Sequence, residues 1–165
     1  MAIARALAVE PDVLLLDEPF AHLDAHLKHR IGEYILQLAK ERNLICILVS
    51  HEGQDVLEWC DRIYFMNNGQ FERVDTPEAF YHHPKTAYEA RFFGEINALQ
   101  INGETVLFRP EAFELSDEGE LSLEVISNLF AGAYYRVNTC TSSGENVVLY
   151  HSSRLSKTIR IAIRK

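Results

Sequence analysis

Through about residue 94, short unbroken apolar runs alternate with segments whose apolar positions recur every three or four residues. Val13 to Leu16 is a four-residue apolar run between turn signals, the pattern of a strand buried in a parallel sheet. From Ala25 to about Glu41 the period is helical, with Leu27, Ile31, Ile35, Leu38 and Ala39 on one face, and Asn43 breaks it. Leu44 to Val49 predicts a second continuous strand, and Glu52 to Cys60 a short helix carrying Val56, Leu57 and Trp59. Ahead of these, Ala2 to Val9 reads as a short helix closed by Glu10-Pro11. Arg62 to Met66, the turn Asn67-Asn68-Gly69 and Gln70 to Val74 predict a β-hairpin. Thr76 caps a helix with Pro77 at its first position and Glu78 in its first turn, and a further helix from about Thr86 to Phe93 ends at Gly94.

Beyond Gly94 the helical periods vanish. Short alternating segments follow at Thr105 to Phe108, Leu121 to Leu129, Ala133 to Thr141, Asn146 to Tyr150 and Lys157 to Ile163. Asn102-Gly103, Glu118-Gly119 and Ser143-Gly144 supply turns between them. The pattern predicts an α/β piece, residues 1–95, followed by a small all-β module, residues 96–165. Charge divides in the same place: residues 1–94 carry nine basic and fifteen acidic groups, while 95–165 carry seven and nine.

Composition narrows the function. The net charge of −8 and a pI near 5.3 argue against a protein that binds nucleic acid by neutralising phosphates. No stretch approaches the roughly 20 apolar residues that a membrane span requires. The opening MAIARALAVEPD lacks the apolar core and cleavage site of a secretory signal. A soluble, cytoplasmic protein is expected. Cys46, Cys60 and Cys140 form neither a metal-ligand pattern nor a disulfide framework, and Cys46 and Cys60 are expected to be buried small hydrophobes.

The sharpest local signal is Val13-Leu14-Leu15-Leu16-Asp17-Glu18-Pro19. Two carboxylates emerge together at the carboxyl end of a buried strand, where ligand sites of parallel sheets lie. Adjacent acids on a strand point to opposite sides, so they can do different work at one site. One can serve Mg²⁺ and the other can deprotonate a water for attack on a phosphoryl group. Alone, the motif also fits a strand running into a solvated acidic turn. Downstream, Leu23-Asp24, a helix and a strand ending in Ser50-His51 put an imidazole at the same sheet edge.

With those spacings the sequence resembles the ATPase subunits of ABC transporters. LLLDEP is similar to their Walker B segment, FAHLD to the D-loop, and VSHE to the switch-histidine loop. DRIYFMNNGQFERVDTPEAFYHHP resembles the region that follows in importer subunits for polyamines, ferric iron, sugars and oxyanions. ARAL, Ala4 to Leu7, resembles the helix directly after the LSGGQ signature, and Met1 stands where the family often has an aliphatic residue. The resemblance covers residues 2–95 in unbroken order.

The resemblance implies that Asp17 holds Mg²⁺ through water and that Glu18 is the general base. It implies that His51 hydrogen-bonds the γ-phosphate, a task suited to an imidazole that can donate to an oxyanion. Asp24 is implied to contact the opposite ATPase subunit in a head-to-tail homodimer. ATP and Mg²⁺ are the implied cofactors of the complete subunit. The implied partners are a second ATPase subunit and membrane permease subunits, with no nucleic acid and no direct membrane insertion. Localisation is expected to be cytoplasmic, peripheral to the inner membrane through the permease.

Departures from the family pattern matter too. No GxxxxGKS or GxxxxGKT occurs, so the loop and lysine that cradle phosphates are missing, as are the Gln loop and LSGGQ. The sequence reads as the C-terminal part of such a subunit, and the isolated chain is expected to be inactive. His22 replaces the small residue usual before Leu-Asp. His22, His26 and His29 share a helical spacing that could bind a metal, but His22 is expected to precede the helix and no carboxylate is expected to complete the face. His82-His83 is expected at a helix end, where cationic groups are favoured.

Phe108-Arg109-Pro110-Glu111 resembles the RPE segment of the TOBE domain appended to this importer class, a small OB-like barrel, and Leu121 to Tyr150 fits the rest of it. The expected architecture is therefore the C-terminal part of a P-loop-type ABC ATPase domain followed by a TOBE-like domain. The competing expectation is a non-catalytic dimerisation or regulatory β module with a remnant ATPase segment.

Overall fold

A computed structural model describes residues 2–101 and 103–164; Met1 and the predicted turn residue Asn102 lie outside them. The chain forms two compact units, Met1–His83 and Pro84–Lys165. The first contains α1 (Ala2–Leu7), β1 (Val13–Asp17), α2 (Ala25–Arg42), β2 (Ile45–Val49), α3 (Gly53–Trp59), β3 (Ile63–Asn67), β4 (Gln70–Asp75) and α4 (Pro77–His82).

β1 and β2 pair in parallel, with Val13 opposite Ile45 and Asp17 opposite Val49. α2 is bounded as its sequence requires. Asp24 accepts from the Leu27 amide at 2.9 Å, and Asn43 turns left-handed (φ 52°) and donates to the Ala39 carbonyl. The helix lays Ile35 on Leu14, Leu16, Phe20 and Leu44, with Ile31, Leu23 and Trp59 packed around them. At Gly32 a Cβ would fall 2.6 Å from the Trp59 ring, so only glycine allows that closeness.

The sheet is covered on one face, not two as the continuous apolar runs predict. Leu14 is 3% exposed but Leu15 is 70%, and Val13, Ile45, Ile47 and Val49 are exposed beside it. α2 covers one side of the two strands, and no described element of this unit covers the other. β3 and β4 form the predicted hairpin, with Asn68 (φ 47°) and Gly69 (φ 78°) making its left-handed turn. Thr76 caps α4 by accepting from the Ala79 amide, and α4 brings Phe80 onto Phe65. Cys46 and Cys60 are half-buried, not buried; Cys46 packs against the core beneath β1 and α2 and keeps part of its surface in solvent.

The second unit contains α5 (Ala87–Phe92), β5 (Asn97–Ile101), β6 (Glu104–Phe108), β7 (Phe113–Leu115), β8 (Leu121–Phe130), β9 (Tyr135–Thr141), β10 (Asn146–His151) and β11 (Thr158–Ile163). A five-stranded antiparallel sheet runs β10-β9-β8-β11-β7, and β5 and β6 pair as a separate hairpin. Leu99, Phe108, Phe113, Leu123, Val137, Leu149 and Ile161 fill the core. Two asparagines act as single-residue strands. Asn97 donates to the Val148 carbonyl at 2.8 Å and accepts from its amide at 2.9 Å, and Asn128 does the same to Leu155. The buried Arg109 guanidinium donates to the carbonyls of Ala90 and Glu95. β5 and β7 are absent from the sequence expectation: Asn97, Ala98 and Gln100 are poor strand formers, and β7 is only three residues long. Among the described residues no helix is long and apolar enough to cross a membrane.

Candidate functional site

The parallel register of β1 and β2 brings their carboxyl ends side by side. Asp17 is the last residue of β1 and is exposed. Glu18 does not continue the strand, as the expectation of two acids on opposite faces requires. Its φ of 45° is left-handed, so the chain turns while its amide still donates to the Val49 carbonyl at 2.9 Å. That turn aims the Glu18 carboxylate at the end of β2. There Oε1 accepts from the His51 amide at 2.9 Å and lies 2.6 Å from His51 Nδ1. The Ser50 hydroxyl stands 3.5 Å from Oε2 and accepts from the Glu52 amide.

The two partners perturb each other. The hydrogen bond from His51 holds the Glu18 carboxyl below its usual range, against the opposing effect of burial. The bond to Glu18 pushes the His51 imidazole above its usual 6.5, with Glu52 and Asp55 adding to it. Glu52 Oε1 lies 3.5 Å from His51 Nε2. The imidazolium form is thereby favoured, in which both ring nitrogens donate.

A cleft of about 330 Å³ opens beside the pair, lined on one side by Phe20, His22 and Leu23 and on the other by His51, Glu52 and Asp55. Asp24 does not reach Glu18; its side chain caps α2. His22 (φ 65°) precedes the helix, as expected. His29, however, faces carboxylates that the spacing argument missed: Glu33 at 3.4 Å, one helical turn on, and Glu58 at 3.1 Å, supplied by α3. Among the described residues no group of three or more His, Cys, Asp or Glu side chains is placed to hold a metal ion. The exposed Asp17 carboxylate at the end of β1 hydrogen-bonds no described group, which suits a hydrated Mg²⁺ whose other ligands are waters and phosphate oxygens.

Two cleft residues went unread in the sequence, Lys28 and Asp55. Their ammonium and carboxylate meet at 2.7 Å. The signal was present: each stands four residues after a candidate site residue, Asp24 and His51, in the first turn of the following helix. The second unit has a wider cleft, about 420 Å³, between Glu111, Phe113, Tyr150 and Arg164, but Arg164 is committed to Glu114 at 2.8 Å.

No family model matches the chain. Curated relatives do. A sulfate/thiosulfate import ATP-binding protein of Methylococcus capsulatus is 31% identical over the whole chain and 47% of its own length. Its namesake in Pseudomonas putida is 40% identical over 83% of the chain and 43% of its own length. A third, from Pectobacterium atrosepticum, is 37% identical over 77% of the chain and 39% of its own. The chain spans less than half the length of these relatives. It is thus a homologue of the ATP-binding subunits of ABC importers, matched over a partial segment of them.

Proposed function

We propose that residues 1–95 are the C-terminal part of an ABC-type ATPase domain, in which Glu18 and His51 act together on the terminal phosphate of ATP. One observation carries this: the 2.6 Å contact between them at the carboxyl ends of adjacent parallel strands. Glu18 accepts the proton of the attacking water. His51 donates from Nε2 to the γ-phosphate oxygen, where charge develops. While His51 is bonded to Glu18 it lowers that carboxylate's basicity, so Glu18 becomes the stronger base as the imidazole turns to phosphate. Asp17 would hold Mg²⁺ through water. When bound, the ion neutralises phosphate charge; the protein's part is to place one carboxylate within reach.

The segments LLLDEP, FAHLD and VSHE are then the Walker B, D-loop and switch-histidine segments. Asp24, besides capping α2, contacts the second ATPase subunit of a homodimer. Residues 96–165 form a TOBE-like, OB-like module, a reading supported by the antiparallel sheet and by a relative that matches across the whole chain. The partners are permease subunits, the location is cytoplasmic and peripheral to the inner membrane, and the cargo class suggested by the relatives' names is sulfate or thiosulfate.

The test is Glu18→Gln in a subunit carrying this segment together with a phosphate loop. Turnover is abolished while MgATP still binds; hydrolysis near the unmodified rate removes Glu18 from the base role. The 165-residue chain, having no phosphate loop, neither hydrolyses ATP nor binds it tightly. Micromolar binding by calorimetry, with phosphate release abolished by His51→Ala, would mean that a complete site assembles without that loop.

A further inference from the structure

We propose that the Lys28–Asp55 ion pair is a positioning clamp that holds His51 against Glu18. The bonds around the cleft close into a ring. From Glu18 the chain turns through Phe20 and Leu23 to Asp24, which caps α2, and one turn later α2 presents Lys28. Lys28 Nζ crosses to Asp55 Oδ1 at 2.7 Å. Asp55 sits in the first turn of α3, its amide bonded to the Glu52 carbonyl, and the residue before Glu52 is His51, bonded back to Glu18. Two side-chain bridges therefore join the segment after β1 to the segment after β2, one at each side of the cleft.

Burial makes the Lys28–Asp55 bridge the stiffer of the two. Asp55 is 4% exposed, whereas the His51 side chain is 72% exposed. A carboxylate that deep must keep its partner, because losing the partner leaves a buried charge uncompensated. The exposed Glu18–His51 contact has no such penalty, and its geometry follows wherever the start of α3 is placed. The clamp thus sets the resting position of the imidazole, and Lys28 and Asp55 are positioning residues, not groups that touch phosphate.

This inference rests on the reading that Glu18 and His51 form a working pair, but its test needs no nucleotide. The groups that bear charge around His51 are Glu18, Glu52, Asp55 and, across the cleft, Lys28. Two effects of Lys28→Met on the His51 pKa have opposite signs. Removing a nearby cation raises it; releasing the clamp, so that His51 leaves Glu18, lowers it. NMR titration of the imidazole in the 165-residue chain is expected to show a fall of the His51 pKa back toward the ordinary imidazole range, and faster exchange of the His51 amide. Lys28→Arg, which keeps charge and reach, is expected to restore both. A rise in pKa with unchanged amide exchange would overturn the clamp. General loss of protection along α2 would overturn it as well, since the pair would then hold up the whole unit. The role of Glu18 as a base is read separately, from turnover of its Gln variant, so either idea can fail alone.

Discussion

Asn97→Ala tests how the second unit ends its sheet. Asn97 is 5% exposed, and its amide makes two bonds to one residue, donating to the Val148 carbonyl at 2.8 Å and accepting from the Val148 amide at 2.9 Å. It occupies the place of a missing strand along β10, on the edge opposite β9. Truncation removes both bonds and leaves Val148's two polar groups without their partner. Each lost bond costs about 1 kcal/mol, and more where water cannot replace it. Val148 is half-buried, so replacement by water is partial, and about 2–3 kcal/mol is expected. For a unit of this size that lowers Tm by about 10 °C or more. Asn97→Asp keeps the acceptor but sets a carboxylate against the Val148 carbonyl, so it should be no milder. The assay is urea unfolding of the full chain followed by NMR signals of β9 and β10, together with amide exchange at Val148. An unfolding free energy within 0.5 kcal/mol of the unmodified chain, with Val148 protection unchanged, refutes the reasoning.

Three further outcomes are expected. The Glu18–His51 pair stabilises the fold between about pH 4.5 and 6.5. The raised His51 pKa means its share is lost as pH rises through that pKa, and the lowered Glu18 pKa means its share is lost as pH falls through it; Glu18→Gln should lower stability within the window and weaken the fall on either side of it in pH-dependent melting. Asp24→Ala removes the cap of α2 and should cost about 1 kcal/mol by urea unfolding, while Asp24→Ser keeps most of it. Leu14→Ala should cost about 2–5 kcal/mol and Leu15→Ala less than about 0.5 kcal/mol, although they are neighbours on one strand; equal costs would mean that the open sheet face is covered in solution.

Local chemistry carried most of the first unit. Asp24, Asn43, Thr76, Pro77 and Asn68-Gly69 each satisfy a backbone requirement within a few residues, so their helix ends and turn were legible without any long-range information. The grouping of Asp17, Glu18 and His51 was legible for the same reason: an apolar run ending in polar residues names the end of a buried strand, and two such runs in a parallel sheet end together. Tertiary structure decided the rest. Which face of β1 is buried depends on where α2 packs, and a continuous apolar run cannot say that. β5 and β7 exist because Asn97 and Phe113 find partners tens of residues away, not because their own sequences favour extension. The Lys28–Asp55 bridge spans 27 residues and joins two helices whose spacing is set by how α2 and α3 pack around Trp59. The spacing placed each residue one turn beyond a site residue, but that they pair leaves no trace in the sequence, because their meeting depends on the angle between elements and not on the order of residues within either one.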